Sequence, residues 1–422
     1  MPTIFGLTNN LCCHSCYSYE QIYYNHVTVD KKQDALKVNA MHQLSDISHT
    51  IDVYSFFSGI GLLDLGFENA GFNIEFVNDI KESFLRGYIY SRKCIQKPSP
   101  KYGYWNASID DVFNNRVEDK LSEAIHDSKS RNQRVFFIGG PPCPDFSIGG
   151  KNHGKYGDNG RLSKSYVDVI LKYNPDGFLF ENVKGLWRTK RHRNFYEEIK
   201  SILTSNGYMI TERLINAIEY GVPQDRERII LVGFHQTYLQ EPKYYGQNGY
   251  ITDFPWDKFK VHNISDLYSI PWPQTNEFQP KSTIQCPAGV ITELTVEYWF
   301  KKNRVLEHPN SNHCFIPRAG LAKFKTIAEG DVSKKSYKRL HRWRYSPTAA
   351  YGNNEVHLHP YYERRLSVAE ALSIQSMPAE FVLPDSMSLS DMFKAVGNGV
   401  PFLLSYGVAK TILYYLGDKV CR

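Results

Sequence analysis

The residues best suited to chemistry begin in "FIGGPPCPDFSIGG". An apolar run, Val135 to Ile138, ends there in two glycines, two prolines and Cys143. Prolines on both sides of the cysteine fix the backbone and so aim the sulfur. Glycines on both sides leave room for a substrate and for a moving loop. A free thiol titrates near about 8.5, so attack near neutral pH needs help from its surroundings. Taken alone, a buried cysteine is an inert small hydrophobe. Its place after a strand opposes that reading, because open α/β sheets bind ligands at the carboxyl ends of their strands.

Two further strand ends carry partners. In "GFLFENVKG" an apolar wall precedes Glu181. A carboxyl in such a place tends to hold its proton and can donate it to a ring nitrogen, although a helix-capping acid would look the same. In "EYGVPQDRERIILVGF" the alternation sets Gln224, Arg226 and Arg228 on one face of a strand, with Asp225 and Glu227 on the other. Arginines beside an apolar strand are costly unless paired or aimed at an anion or a carbonyl. A ladder of surface ion pairs with the two acids is the plainer alternative. A fourth stretch, "DVYSFFSGIGLLDLGFENAG", reads as strand, glycine turn and helix. Gly59 and Gly61 let backbone approach a ligand, and Asp79 in "FVNDI" could accept from both ribose hydroxyls. This signal suits NAD as well as S-adenosylmethionine.

The elements that must position these groups alternate. "DVYSFF", "NIEFVND", "RVFFIGG", "GFLFEN" and "RIILVGF" read as buried strands, and "RNFYEEIKSILTSNG" as a helix closed by Gly207. The pattern predicts an α/β fold with a mostly parallel sheet and helices on both faces. Periodicity fades after about Gln236, where aromatic, proline and basic residues gather, and a smaller irregular domain is expected. Residues 1–50 form a polar extension, 51–235 the first part of the main domain, 236–351 the second domain, and 352–422 a return to the first.

At 422 residues the chain suits one large and one smaller domain. Hydrophobic residues at 42% and charged ones at 22% indicate a soluble globular protein, and a net charge of +6 permits a polyanionic partner without requiring one. Cysteines at 12, 13, 16, 94, 143, 286, 314 and 421 are too scattered for a disulfide framework, and a reducing cytoplasm is expected. No signal-peptide pattern opens the sequence, and the apolar run Val400–Leu416 holds Pro401 and Lys410, so it reads as a buried helix rather than a membrane span. "LCCHSC" groups Cys12, Cys13, His14 and Cys16 but lacks the second spaced pair of a metal site, and no metal is expected.

Taken in order, "FSGIG", "NDI", "GGPPCPDFS", "ENV", "QDRER", "RRLSVAEALSIQSMP" and "GNGVP" resemble the DNA cytosine-5 methyltransferases from Val53 to the C-terminus, with one gap at the variable region. The resemblance implies a Rossmann-like, S-adenosylmethionine-dependent domain with a target-recognition domain at 236–351. It implies Cys143 as nucleophile, with Glu181, Asn182, Arg226, Arg228 and the Pro141 carbonyl around the base. It implies a cofactor site of Phe57, Gly59, Gly61, Asp79, Ile80, Ser108, Leu162 and Asn398. Leu62 stands where the family commonly has a third glycine, Pro144 and Asp145 replace glutamine and glycine, and Ser108 replaces an aspartate that meets the adenine amino group. The implied reaction joins the Cys143 thiolate to carbon 6 of a flipped-out cytosine before methylation at carbon 5.

Double-stranded DNA is the implied partner. Ser147, Lys151, Lys155 and Arg161 in a glycine-rich segment, Gln224, and Lys338, Arg339, Arg342 and Arg344 in "KKSYKRLHRWRY" are expected at DNA, with Lys190, Arg191 and Arg193 a second basic patch. A monomeric prokaryotic enzyme is expected, either solitary or paired with a separate restriction endonuclease. Three rivals stand beside it: an RNA (tRNA) cytosine methyltransferase, a non-catalytic DNA-binding regulator retaining the cofactor pocket, and an NAD-linked oxidoreductase.

Overall fold

The computed structural model describes residues 51–420, apart from 114–115, 143–157, 189, 240–246, 318–319, 335, 350 and 352–356. Cys143, Ser147, Lys151, Lys155 and the Cys12–Cys16 cluster lie outside the described residues.

The strands are β1 (Ile51–Phe56), β2 (Asn73–Asp79), β3 (Tyr104–Asn106), β4 (Arg134–Gly139), β5 (Gly177–Val183), β6 (Tyr208–Asn216), β7 (Gln224–Asp225) and β8 (Glu227–His235). Seven of them form one sheet in the order β3-β2-β1-β4-β5-β8-β6. From β3 to β5 all neighbours run parallel. Strand β8 is antiparallel to both β5 and β6. The chain works outward from β1 to β3, then restarts at β4 on the other side of β1. The connections that leave β1 and β4 therefore diverge at the carboxyl ends of the two strands, where open α/β sheets bind their ligands. Strands β3 and β6 are additions to the five expected from sequence.

Neighbouring residues of β4 serve opposite faces of the sheet. Phe137 joins Tyr54, Phe56, Phe178 and Phe180 in a core closed by Leu121, Tyr166, Ile170, Tyr196 and Ile199 from three helices, Arg116–Ser130, Asp158–Tyr173 and Lys190–Ser205. Phe136 packs instead on Phe67 and Phe72, at ring separations of 6.2 and 6.1 Å. On that face the run Val400–Leu416 forms the buried helix Phe402–Val420, whose Tyr415 stacks on Phe234 at 5.5 Å. Ser405 of the same helix donates to the Leu63 carbonyl at 2.5 Å, pinning it to helix Leu62–Ala70. Among the described residues no helix is long and apolar enough to cross a membrane.

Beyond β8 regular structure is sparse. Two-residue strands β9 (Lys338–Arg339), β10 (Ser346–Pro347) and β11 (His357–Leu358) make two small pairs: β9 with β11, and β10 with β7. Val296, Phe300, Val305, Leu340 and Leu366 form a separate small core. Buried polar contacts supplement it: Arg342 holds Glu329 at 2.7 Å. Within "RRLSVAEALSIQSMP" the helix spans Val368–Ile374, started by a capping box between Ser367 and Glu370.

Candidate active site

The glycine turn after β1 needs left-handed backbone at Phe57, Gly59 and Gly61, with φ of 53°, 58° and 85°. Gly61 admits no side chain, because the Tyr88 ring occupies the place of a Cβ. Among the described residues a Cβ on Gly59 would meet nothing within 4 Å, so they leave the space above that residue open. Beneath the turn, Asp64 accepts from Ser55 Oγ at 2.9 Å and from the Tyr88 hydroxyl at 2.8 Å. Complete burial pushes its carboxyl up to about 6.

At the end of β2, Asp79 accepts from the Gly59 amide at 2.9 Å and the Lys81 amide at 2.7 Å. A carboxylate has further lone pairs for a ligand hydroxyl. Ile80 beside it is 70% exposed, a large apolar side chain open at the end of β2. Ser108 starts the short helix Ile109–Phe113: its hydroxyl accepts from Asp110 N at 3.3 Å, and its amide donates to Asp111 at 2.8 Å. Leu162 is half-buried against the main core. Asn398 is exposed at the end of helix Leu389–Asn398. Sequence reasoning missed the link between these pieces, in which Lys81 binds Asp391 of that last helix. Two residues so far apart in the chain carried no local signal of contact.

Strands β4 and β5 bring the other groups together. Gly139 pairs with Phe180, so Gly140 and buried Pro141 adjoin Glu181. Glu181 is 7% exposed, and its Oε1 lies 2.9 Å from Arg228 Nε. The antiparallel register of β5 and β8 makes this meeting possible by setting Arg228 opposite Val183. Burial pushes the Glu181 carboxyl above its ordinary value, against the pull of the Arg228 guanidinium. Gly140, which sequence reasoning did not single out, has its own constraint: a Cβ there would stand 2.8 Å from Glu181 Oε2. The doubled glycine before Pro141 was the available signal.

The burial alternation expected for Gln224, Arg226 and Arg228 is present, but the three residues have different tasks. Gln224 is fully buried, donating to Ile374 O and accepting from Ala349 N at 2.9 Å. The structure thus corrects its expected place at DNA. Arg226, expected among the catalytic residues, is also fully buried, and its guanidinium is engaged by main-chain carbonyls. Asn182 is interior, with its Oδ1 accepting from Val183 N at 2.8 Å, so it shapes the turn after Glu181.

In the basic stretch at 334–344 two of the residues expected at DNA, Arg339 and Arg342, are likewise taken up inside the protein. Arg339 is fully buried and donates to the carbonyls of Phe324, Ile327, His359 and Tyr362. Arg342 is buried on Glu329 and Ser282. A guanidinium enclosed by its own chain cannot reach a phosphate. Lys338 and Arg344 remain half-buried, and Lys334 is exposed. Arg161 binds Asp110, which also accepts from Ser165 at 2.7 Å. Arg188, Lys190 and Arg193, just beyond β5, are exposed. Among the described residues no group of three histidine, cysteine or acidic side chains could hold a metal.

Comparison with known proteins places this geometry. A relative from Neisseria meningitidis serogroup C, Type II methyltransferase M.NmeDI, is 54% identical over 398 residues, 92% of this chain and 91% of its own. Type II methyltransferase M.FnuDI of Fusobacterium nucleatum is 28% identical over 371 residues, covering 86% and 95%. The crystal structure of the S. pombe Dnmt2 methyltransferase shares the fold at a TM-score of 0.53 and 12% identity, covering 88% of this chain and 98% of that one. The family model for C-5 cytosine-specific DNA methylase matches residues 51–414. A family model over most of the chain and a relative of 54% identity show that the chain belongs to the C-5 cytosine-specific DNA methylase family as a DNA cytosine-5 methyltransferase.

Proposed function

We propose that this protein methylates carbon 5 of a cytosine flipped out of double-stranded DNA, through a covalent bond between Cys143 and carbon 6. The observation that carries the reading is the buried Glu181–Arg228 pair beside Gly140 and Pro141, three residues or fewer before Cys143. Burial favours the protonated form of Glu181, the form that donates to ring nitrogen 3 as the thiolate adds to carbon 6. Arg228 holds the ring carbonyl oxygen, and the Pro141 carbonyl accepts from the exocyclic amine. Electron density reaches carbon 5, and loss of the carbon-5 proton after methylation expels the cysteine. Flipping the base costs a few kcal/mol, offset by these contacts.

The residues present fit S-adenosylmethionine. Open space above Gly59 admits a ligand against bare backbone, Asp79 can accept from ribose hydroxyls, and exposed Ile80 can cover one face of an adenine. Phe57, Gly61, Ser108, Leu162 and Asn398 complete the proposed site. The bound cofactor supplies a methyl group made electrophilic by its sulfonium. The exposed cations Arg188, Lys190 and Arg193 favour a DNA backbone beside the site, with Lys338 and Arg344 on the recognition side and Ser147, Lys151 and Lys155 from the segment after Cys143. The relatives are named Type II methyltransferases, which supports a modification enzyme; a monomer, with any cognate restriction endonuclease acting separately, is part of the proposal.

The test is bisulfite sequencing of genomic DNA from a methylation-free host expressing the protein, beside Cys143→Ala. Protected cytosines in one short recurring sequence, absent from the variant, are expected. Unprotected DNA with folded protein present would move the assignment to an RNA substrate, and protection surviving in the variant would sink the covalent mechanism.

A further inference from the structure

We propose that Arg226 is a positioning residue for the cofactor site, acting through Asn398, and not a contact to the flipped base. Its Nη2 donates to the carbonyls of Gly397 at 2.9 Å and Gly399 at 3.0 Å. These carbonyls belong to the residues on either side of Asn398. Its Nη1 donates to Ala349 O at 3.0 Å and to Gln224 Oε1 at 3.4 Å. The inference rests on the reading above that Asn398 belongs to an S-adenosylmethionine site.

The physical reason lies at the end of helix Leu389–Asn398. The last carbonyls of a helix have no partner within it and carry the negative end of its dipole. A guanidinium is planar, with donors in a fixed fork, so one group can hold two carbonyls in a set relation. Gripped on both sides, Asn398 has little freedom, although its own side chain is exposed. Gln375 Nε2 adds a bond to Val396 O at 2.6 Å, and Gln224 in turn donates to Gln375 at 3.2 Å. Ala349 lies at the exit from the recognition segment. A single buried cation therefore ties that exit to the turn bearing Asn398. Arg228, two residues along, serves the Glu181 side instead, which is why adjacent arginines of one stretch affect different steps.

The test is calorimetry of S-adenosylhomocysteine binding to the full chain, for wild type, Asn398→Ala, Arg226→Lys, the double variant and Arg228→Lys, with thermal melts to verify folding. A lysine cannot reproduce the fork. Asn398→Ala and Arg226→Lys are each expected to weaken binding about tenfold. The double variant is expected to bind no worse than the weaker single, because both changes remove one interaction. Arg228→Lys is expected to leave this affinity within about twofold while lowering methylation. Where Arg226→Lys melts below the assay temperature, Arg226→Gln, which removes the buried charge and keeps an amide donor, takes its place. Wild-type affinity in a folded Arg226 variant, or losses that simply add in the double variant, would overturn the inference alone. No binding by the wild type would overturn the cofactor reading and the inference with it.

Discussion

Two arginine-bearing stretches look alike in sequence and differ in the folded chain. In "QDRER", Arg228 reaches the site and pairs with Glu181 at 2.9 Å. In "KKSYKRLHRWRY", Arg339 and Arg342 turn inward and bond main-chain carbonyls, Glu329 and Ser282. The first lies at the end of a sheet that already has a large apolar core. The second lies where regular structure is scarce and the apolar clusters are small. A region with few ladders leaves many carbonyls without partners, and a guanidinium can satisfy several of them at once. A cluster of arginines is therefore no evidence of a polyanion until their burial is known.

That contrast can be broken at four points. The largest effect is expected at Glu181→Gln: methylation should fall about 10²–10⁴-fold, with cofactor affinity and melting temperature near wild type. A variant that loses stability in step with activity would make Glu181 a structural group like Glu329. Next is Arg342→Ala, which leaves Glu329 buried without its cation. A loss of about 3–5 kcal/mol in denaturant unfolding is expected. If the variant instead remains stable and binds DNA weakly, the inward reading of this region is wrong.

A pH experiment refines the same contrast. Asp64 is a buried carboxylate whose hydrogen bonds come from two hydroxyls, not from a guanidinium. Its folded value near 6 lies above that of an unfolded aspartate, so the folded state keeps a proton that the unfolded chain releases. Its contribution is greatest below about pH 4 and is lost as pH rises through 6. Relative to wild type, Asp64→Asn should therefore gain roughly 2–3 kcal/mol between pH 4 and 7 in urea titrations. An unchanged difference across that range would show that Asp64 is ionised throughout. The smallest effect is expected at Arg193→Ala: a salt slope for duplex binding about one lower, with no change in melting temperature. An unaltered slope would remove this exposed patch from the DNA surface.

Much of the fold was legible because the central strands are continuous apolar runs, as strands covered on both faces must be. Strand β6 escaped notice: "YMITERLIN" is polar at its middle, where Glu212 meets Lys200 and Arg213 meets Asp257, and β8 is its one partner among the named strands. Strand β3, three residues long, is too short to show a period. At the site, the glycine turn, Glu181 and the alternation of Gln224, Arg226 and Arg228 were readable from spacing. Which of those three is spent on the protein's own backbone was not, because alternation gives the buried side of a strand without saying what fills it.

The sequence by itself determined the strand ends, the order of the motifs and the residue types available for proton donation and carbonyl binding, since these follow from local backbone chemistry and periodicity. Only the tertiary structure decided that Glu181 meets Arg228, that Lys81 reaches Asp391, and that Arg226 and Arg339 belong to the interior. Each of those facts depends on groups far apart in the chain, and on whether a buried donor finds its acceptor in a ligand or in the protein's own backbone.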